Sequence, residues 1–125
     1  MLTATMAQNN GKQRYGMAES FDTTGTEMHV SGDTLVMTGD LDLYEAPRFR
    51  EFAEAFVRAT ENPRFDMTAV PFLDSAGLAC LLSLSRLATT QHKTLRIAIS
   101  GGPRRVLKIT GIDRVLVVDD EAPAS

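Results

Sequence analysis

The chain has one cysteine, Cys80, in 125 residues, which excludes an intramolecular disulfide and any metal cluster built from several cysteines. Histidine is almost as scarce, with only His29 and His92. Their spacing shows no convergence with Cys80 or Ser75, as a zinc site or a nucleophile–base pair would require. Both are therefore read as surface or strand-edge residues, and neither a metal nor a cofactor is expected. No apolar run is long enough to span a bilayer. Residues 1–17 lack the apolar core of a signal peptide, so a cytoplasmic protein with no membrane attachment is expected. Positive charge is not in excess: 13 Lys+Arg stand against 16 Asp+Glu, for a net charge of −3. A broadly basic nucleic-acid binder is disfavoured, because phosphate neutralisation needs clustered cations. There is no internal repeat.

What is present is an ordinary soluble composition, 43% apolar and 23% charged, of a length that favours one domain with a real core. Residues 1–22 are polar and aperiodic and read as a flexible tail, residues 23–120 as the domain, and residues 121–125 as a short polar end. Met28-His29-Val30, Ser31-Gly32-Asp33 and Thr34 to Thr38 predict a β-hairpin with Gly32 in the turn. A polar loop, Gly39-Asp40-Leu41-Asp42, follows. Pro47 then opens a helix whose Phe49, Phe52, Phe56 and Val57 form one apolar stripe, ended by Asn62-Pro63. A short strand at residues 65–68 leads through a loop to a second helix over residues 76–90. A strand at residues 94–99, a basic helix at residues 103–109 capped by Gly111, and a last strand at residues 114–118 complete the chain. The order β-β-α-β-α-β-α-β implies an α/β fold in which an antiparallel hairpin feeds strands joined by right-handed crossovers.

Few residues in this frame suggest chemistry. Gly101-Gly102-Pro103 before a basic helix resembles an anion cradle but lacks the Lys-Ser/Thr of a phosphate-binding loop, so a plain turn is the simpler reading. Cys80 falls on an apolar helix face and reads as an inert buried thiol. Leu73-Asp74-Ser75-Ala76-Gly77-Leu78 is different, because a serine sits where a loop becomes a helix. Spacing alone favours a helix cap, with either Ser75 or Asp74 accepting hydrogen bonds from the first-turn N–H groups. A nucleophile-elbow hydrolase is disfavoured: the glycine two before the serine is missing, and no histidine or oxyanion partner is evident.

The run from Phe65 to Leu78, FDMTAVPFLDSAGL, resembles the phosphorylation-site signature of STAS domains, the anti-sigma factor antagonists of bacteria. Gly39 to Asp42 is similar to that family's loop after its second strand, and Val106 to Ile112 to its last helix and cap. The resemblance covers about residues 27–118. It implies the STAS fold: a mixed β-sheet with an N-terminal antiparallel hairpin, then βα units with helices packed on the sheet. It also implies a non-enzymatic role without catalytic residues. The unphosphorylated form would bind an anti-sigma factor, itself a serine kinase, and so release a sigma factor. Phosphorylation at Ser75 would switch this off, with a PP2C-type phosphatase as a further partner. The family often has a second serine next; Ala76 stands there, which leaves Ser75 as the candidate. Two other readings stay open. One is a STAS subunit of another assembly, such as a stressosome or a lipid-transport complex. The other is a small hydrolase using Ser75.

A phosphate adds about −1.5 to −2 charge, which a helix N-terminus tolerates, so folding should survive the modification. The expected change is in the surface, because Asp40, Asp42 and Asp74 should lie nearby and a docked partner would meet a desolvation and like-charge penalty. At about 100° per residue, Ser75, Ala79, Leu82, Ser83 and Arg86 share one edge of the second helix. Gly77, Cys80, Leu81, Leu84 and Ala88 fall largely opposite, towards the sheet. The expected partner surface is therefore Asp40, Asp42, Asp74, Ser75, Ala76, Gly77, Ala79, Leu82, Ser83 and Arg86.

Overall fold

A computed structural model describes residues 25–119. The tails expected at residues 1–22 and 121–125 lie outside the described residues. Five strands form one sheet: β1 Glu27–Ser31, β2 Thr34–Thr38, β3 Arg64–Ala69, β4 Arg96–Ile99 and β5 Val117–Val118. Three helices, α1 Ala46–Ala59, α2 Ser75–Thr90 and α3 Gly101–Thr110, connect β2 to β5 in turn. The strand order is β1-β2-β3-β4-β5, with β1 and β2 antiparallel and every other pair parallel.

The hairpin closes at Ser31↔Thr34 with Gly32 at φ +61°, in the first central position, where a type II′ turn takes glycine. From β2 onward each strand joins the same growing edge. Right-handed crossovers then bring all three helices to one face of the sheet. Burial agrees. Leu35 and Met37, Phe65 and Met67, and Ile97 and Ile99 point into one core cluster with the buried residues of the helices. Their alternating neighbours, among them Val36, Asp66, Arg96 and Ala98, are half-buried or exposed.

Helix α1 has Pro in its first turn, as the sequence predicts, and packs Phe49, Ala53, Phe56 and Val57 inward. The Phe49 ring meets Phe65 edge-on at 5.7 Å, and Phe56 approaches the same ring at 6.1 Å. Phe52 departs from the predicted stripe: it is 40% exposed, because a position three beyond Phe49 has drifted off the sheet-facing arc that Ala53 fills. The Nζ of Lys93 donates to the carbonyls of Val57 (2.8 Å) and Arg58 (3.0 Å), satisfying the C-terminal end of α1.

Helix α2 begins at Ser75 and α3 at Gly101, one and two residues earlier than predicted. Gly111 caps α3 at φ +77°, as expected. The predicted last strand is shorter. Residues Ile112–Arg114 form a 3₁₀ turn, and only Val117–Val118 pair with β4. The left-handed Gly111 turns the chain back into hydrogen bonds from Val115 and Leu116 to Ile112, and these delay the extended backbone.

The two phenylalanines separate core from surface. Phe49→Ala should lower stability by about 3–5 kcal/mol, whereas Phe52→Ala should cost about 1 kcal/mol or less. Urea unfolding of the two variants checks this; equal losses would show that Phe52 belongs to the core.

Candidate functional site

Two loops meet at the C-terminal end of the parallel strands. The β2–α1 loop carries Gly39 to Glu45, and the β3–α2 loop carries Val70 to Asp74. Their backbones stay paired beyond the strands. Leu41 N–H donates to Phe72 O (3.0 Å), Asp74 N–H donates to Leu41 O (3.3 Å), and Leu41 and Leu73 form a parallel bridge. Leu41 and Leu73 are buried beneath this junction. The expected neighbourhood of the two aspartate-bearing segments is thus present.

Asp74 is the N-cap of α2. Its Oδ1 accepts from Gly77 N–H at 3.0 Å, the bond that relieves an otherwise unpaired donor of the first turn. Its Oδ2 accepts from Leu43 N–H at 3.0 Å, across to the other loop. Asp42 organises the turn that leads into α1, whose N-cap, Glu45, makes no side-chain capping bond: Asp42 Oδ1 accepts from Tyr44 and Glu45 N–H, both at 3.0 Å. Both carboxylates are therefore engaged with backbone. Asp40 is exposed, and its carbonyl accepts from the Thr26 hydroxyl. The Arg48 guanidinium donates to Thr26 O, so the chain entering β1 is clasped to this same loop.

With Asp74 as the cap, Ser75 becomes the first helical residue. It is exposed, and its hydroxyl makes no hydrogen bond among the described residues. The N–H groups of Ser75 and Ala76, in the first turn, have no intrahelical acceptor and point out of the helix end. Gly77 is buried, so its part is internal packing. A Cβ there would lie 2.5 Å from Leu73 Cδ1 and 2.7 Å from Leu41 O. Glycine is what lets the start of α2 sit on the Leu41–Leu73 junction.

Along α2, Ala79 and Arg86 are exposed, and Ala76, Leu82 and Ser83 are half-buried. Gly77, Cys80, Leu81, Leu84 and Ala88 are buried, as the helical spacing predicts. Burial raises the Cys80 pKa, Arg50 opposes the shift and Asp74 and Glu54 add to it, so the thiol stays protonated. It lies 3.7 Å from Ala46 O, against α1.

Sequence reasoning missed four residues here. Arg50 on α1 donates to the Ser83 hydroxyl at 2.6 Å and pairs with Glu54 at 3.4 Å, bridging the two helices at the expected partner surface. Leu43 (66% exposed), Tyr44 (87%) and Phe72 (50%) project from the two loops beside Ser75. Their signal was faint: large apolar residues in loops, with no period to assign them to a face. The histidines lie elsewhere. His92 follows the far end of α2, a helix about 24 Å long, and His29 lies on the sheet face turned away from the helices. No histidine stands beside Ser75 among the described residues, and the Asp74 carboxylate next to it is engaged with backbone N–H groups. No group of His, Cys, Asp and Glu there could hold a metal, and no helix is long and apolar enough to cross a membrane.

Capping and accessibility fall on different residues, and substitution should separate them. Asp74→Ala should cost about 1–2 kcal/mol, because it removes the cap and the Leu43 partner together. Gly77→Ala should cost about 1–3 kcal/mol through overpacking. Ser75→Ala should change stability by about 0.5 kcal/mol or less. Thermal melts of the three variants check this order; a large loss in Ser75→Ala would return the capping role to the serine.

Comparison with known proteins agrees with this architecture. The family described as "Mlab, STAS domain" matches residues 24–118. An anti-sigma-B factor antagonist of Listeria monocytogenes is 27% identical over 86 residues, covering 67% of this chain and 75% of that protein. Among solved structures, an anti-sigma factor antagonist from Mycobacterium paratuberculosis superposes with a TM-score of 0.63 at 23% identity, over 75% of this chain and 83% of the other. The anti-sigma factor antagonist SpoIIAA in its unphosphorylated form gives 0.58 at 16% identity, over 78% and 90%. At these identities the structures speak for the fold, and the family match spans nearly all the described residues. The chain belongs to the STAS domain family.

Proposed function

We propose that this protein is an anti-sigma factor antagonist switched by phosphorylation of Ser75. Unphosphorylated, it binds an anti-sigma factor that is a serine kinase, and so frees a sigma factor. The observation that carries this reading is the exposed, unpartnered Ser75 hydroxyl at the start of α2, with the capping done by Asp74. A serine needed for the cap could not be modified without disturbing the helix; this one can be. The Listeria relative named as an anti-sigma-B factor antagonist supports the partner class. SpoIIAA, a Bacillus cell fate determinant that shares the fold, has been solved in phosphorylated as well as unphosphorylated form, which supports the switch.

The physical asymmetry is between fold and interface. The first-turn N–H groups and the positive end of the helix dipole accept the added charge of about −1.5 to −2. A partner that fits a neutral hydroxyl would have to desolvate that charge beside Asp40, Asp42 and Asp74. The protein on this reading is a cytoplasmic binding module and not an enzyme, reset by a PP2C-type phosphatase.

The test begins by capturing partners on the unphosphorylated protein and identifying the kinase by mass spectrometry. Incubation with that kinase and ATP should place one phosphate on Ser75, and Ser75→Ala should accept none. Ser75→Asp should melt near the parent yet bind the anti-sigma factor at least about tenfold more weakly in calorimetric titration, about 1.4 kcal/mol. Phosphate at Ser83 or Ser85, or a Ser75→Asp variant that binds like the parent, would overturn the switch. A partner set unchanged by Ser75→Asp and lacking a kinase would favour a STAS subunit of another assembly.

A further inference from the structure

The aspartates beside Ser75 hold their own backbone, and what they hold outward is apolar. Leu43 N–H is held by Asp74 Oδ2 and Tyr44 N–H by Asp42 Oδ1, so both amides are satisfied while the side chains stand in solvent. Phe72 is fixed in the same way, its carbonyl accepting from Leu41 N–H. The result is three large side chains, 66%, 87% and 50% exposed, on two cross-linked loops next to one serine. Exposed apolar groups are ordinary when scattered. Gathered on a rigid, hydrogen-bonded platform they mark an interaction surface, and aromatic side chains such as Tyr44 and Phe72 are the usual anchors of one.

We infer that Leu43, Tyr44 and Phe72 form a water-excluding rim beside Ser75, that this rim seats in an apolar cleft of the anti-sigma factor, and that it sets how strongly charge on Ser75 is rejected. The inference rests on the reading of Ser75 given above and adds the chemistry of the partner's face. A hydroxyl enters a dry contact at little loss, whereas a phosphate enters it only by shedding its hydration. The drier the surroundings of Ser75, the larger the discrimination between the two forms. The same pole carries Asp40, Asp42 and Asp74, so a second copy docked rim to rim would oppose like charges. That charge pattern favours a heterologous partner, with an apolar cleft and no acidic border, over self-association.

The test uses the full chain and the purified anti-sigma factor kinase recovered by capture. Dissociation constants are measured for the parent, Ser75→Asp, Tyr44→Ala, Phe72→Ala and the Tyr44→Ala/Ser75→Asp pair. Tyr44→Ala should bind at least about tenfold more weakly without a lower melting temperature. In that background the Ser75→Asp penalty should shrink to under about threefold, the non-additivity expected of coupled sites. The chain has no tryptophan, so Tyr44→Trp supplies a single reporter whose emission should shift to the blue when the partner binds. An unshifted emission, or parent-like binding by both Tyr44→Ala and Phe72→Ala while Ser75→Asp still binds poorly, overturns the rim and leaves the switch standing. Parent-like binding by Ser75→Asp itself overturns the switch instead. A rim-dependent dimer in sedimentation would assign the surface to a second copy and overturn the inference.

Discussion

One carboxylate, that of Asp74, joins the parts on which this site depends. Oδ1 closes the first turn of α2 through Gly77, Oδ2 holds Leu43 in the neighbouring loop, and the residue's own amide bonds to Leu41. Three bonds from one residue lock the start of a helix onto a loop that is distant in sequence. Beneath them the close contact of Gly77 with Leu41 and Leu73 leaves no room for a side chain. Ser75 stands on this junction and takes no part in it. Its hydroxyl is accessible because its neighbour satisfies the helix end.

On the proposed reading, that division of labour would let one covalent change leave the fold alone and still alter recognition. Charge added at Ser75 meets first-turn N–H groups that already favour an anion, so the folded state gains little strain. The surroundings seen by a partner are different. Carboxylates and large apolar side chains share that pole, and neither group accommodates a second negative charge once water is displaced. The Arg50–Ser83 bond and the burial of Cys80 against Ala46 brace α1 and α2 just beyond it, so the surface is presented on a rigid helix pair.

Much of the fold was legible in the residues. The hairpin followed from two short strand segments around Gly32, α1 from apolar spacing with Pro47 and Pro63 as its boundaries, and α2 from apolar spacing. The inward face of α2 was right position by position, because helical geometry alone decides which residues oppose one another. The misses have physical causes. Phe52 fits a helical period yet sits at the margin of the arc that the sheet can cover. The segment after Gly111 is rich in Val and Leu, as a strand would be, but hydrogen bonds back to Ile112 hold it in a turn before two residues pair. Propensity could not weigh those bonds against the ladder.

The sequence by itself determined the class of fold, the family motif and the serine at its centre, since periodicity, turn residues and the short Asp-Ser-Ala-Gly-Leu run are local properties. Which of Asp74 and Ser75 caps the helix was undecidable there, because either oxygen can reach the first turn from its place in the chain. Only the folded structure settled it, by bringing Gly77 N–H to Oδ1 of Asp74 while Oδ2 takes Leu43 N–H from the other loop. The bond from Leu43 N–H to Asp74 Oδ2 ties the two loops together, and the approach of Gly77 to Leu41 beneath it gives that glycine its packing role. These are contacts between segments about thirty residues apart, and their geometry exists only once the parallel strands β2 and β3 have aligned the two loops.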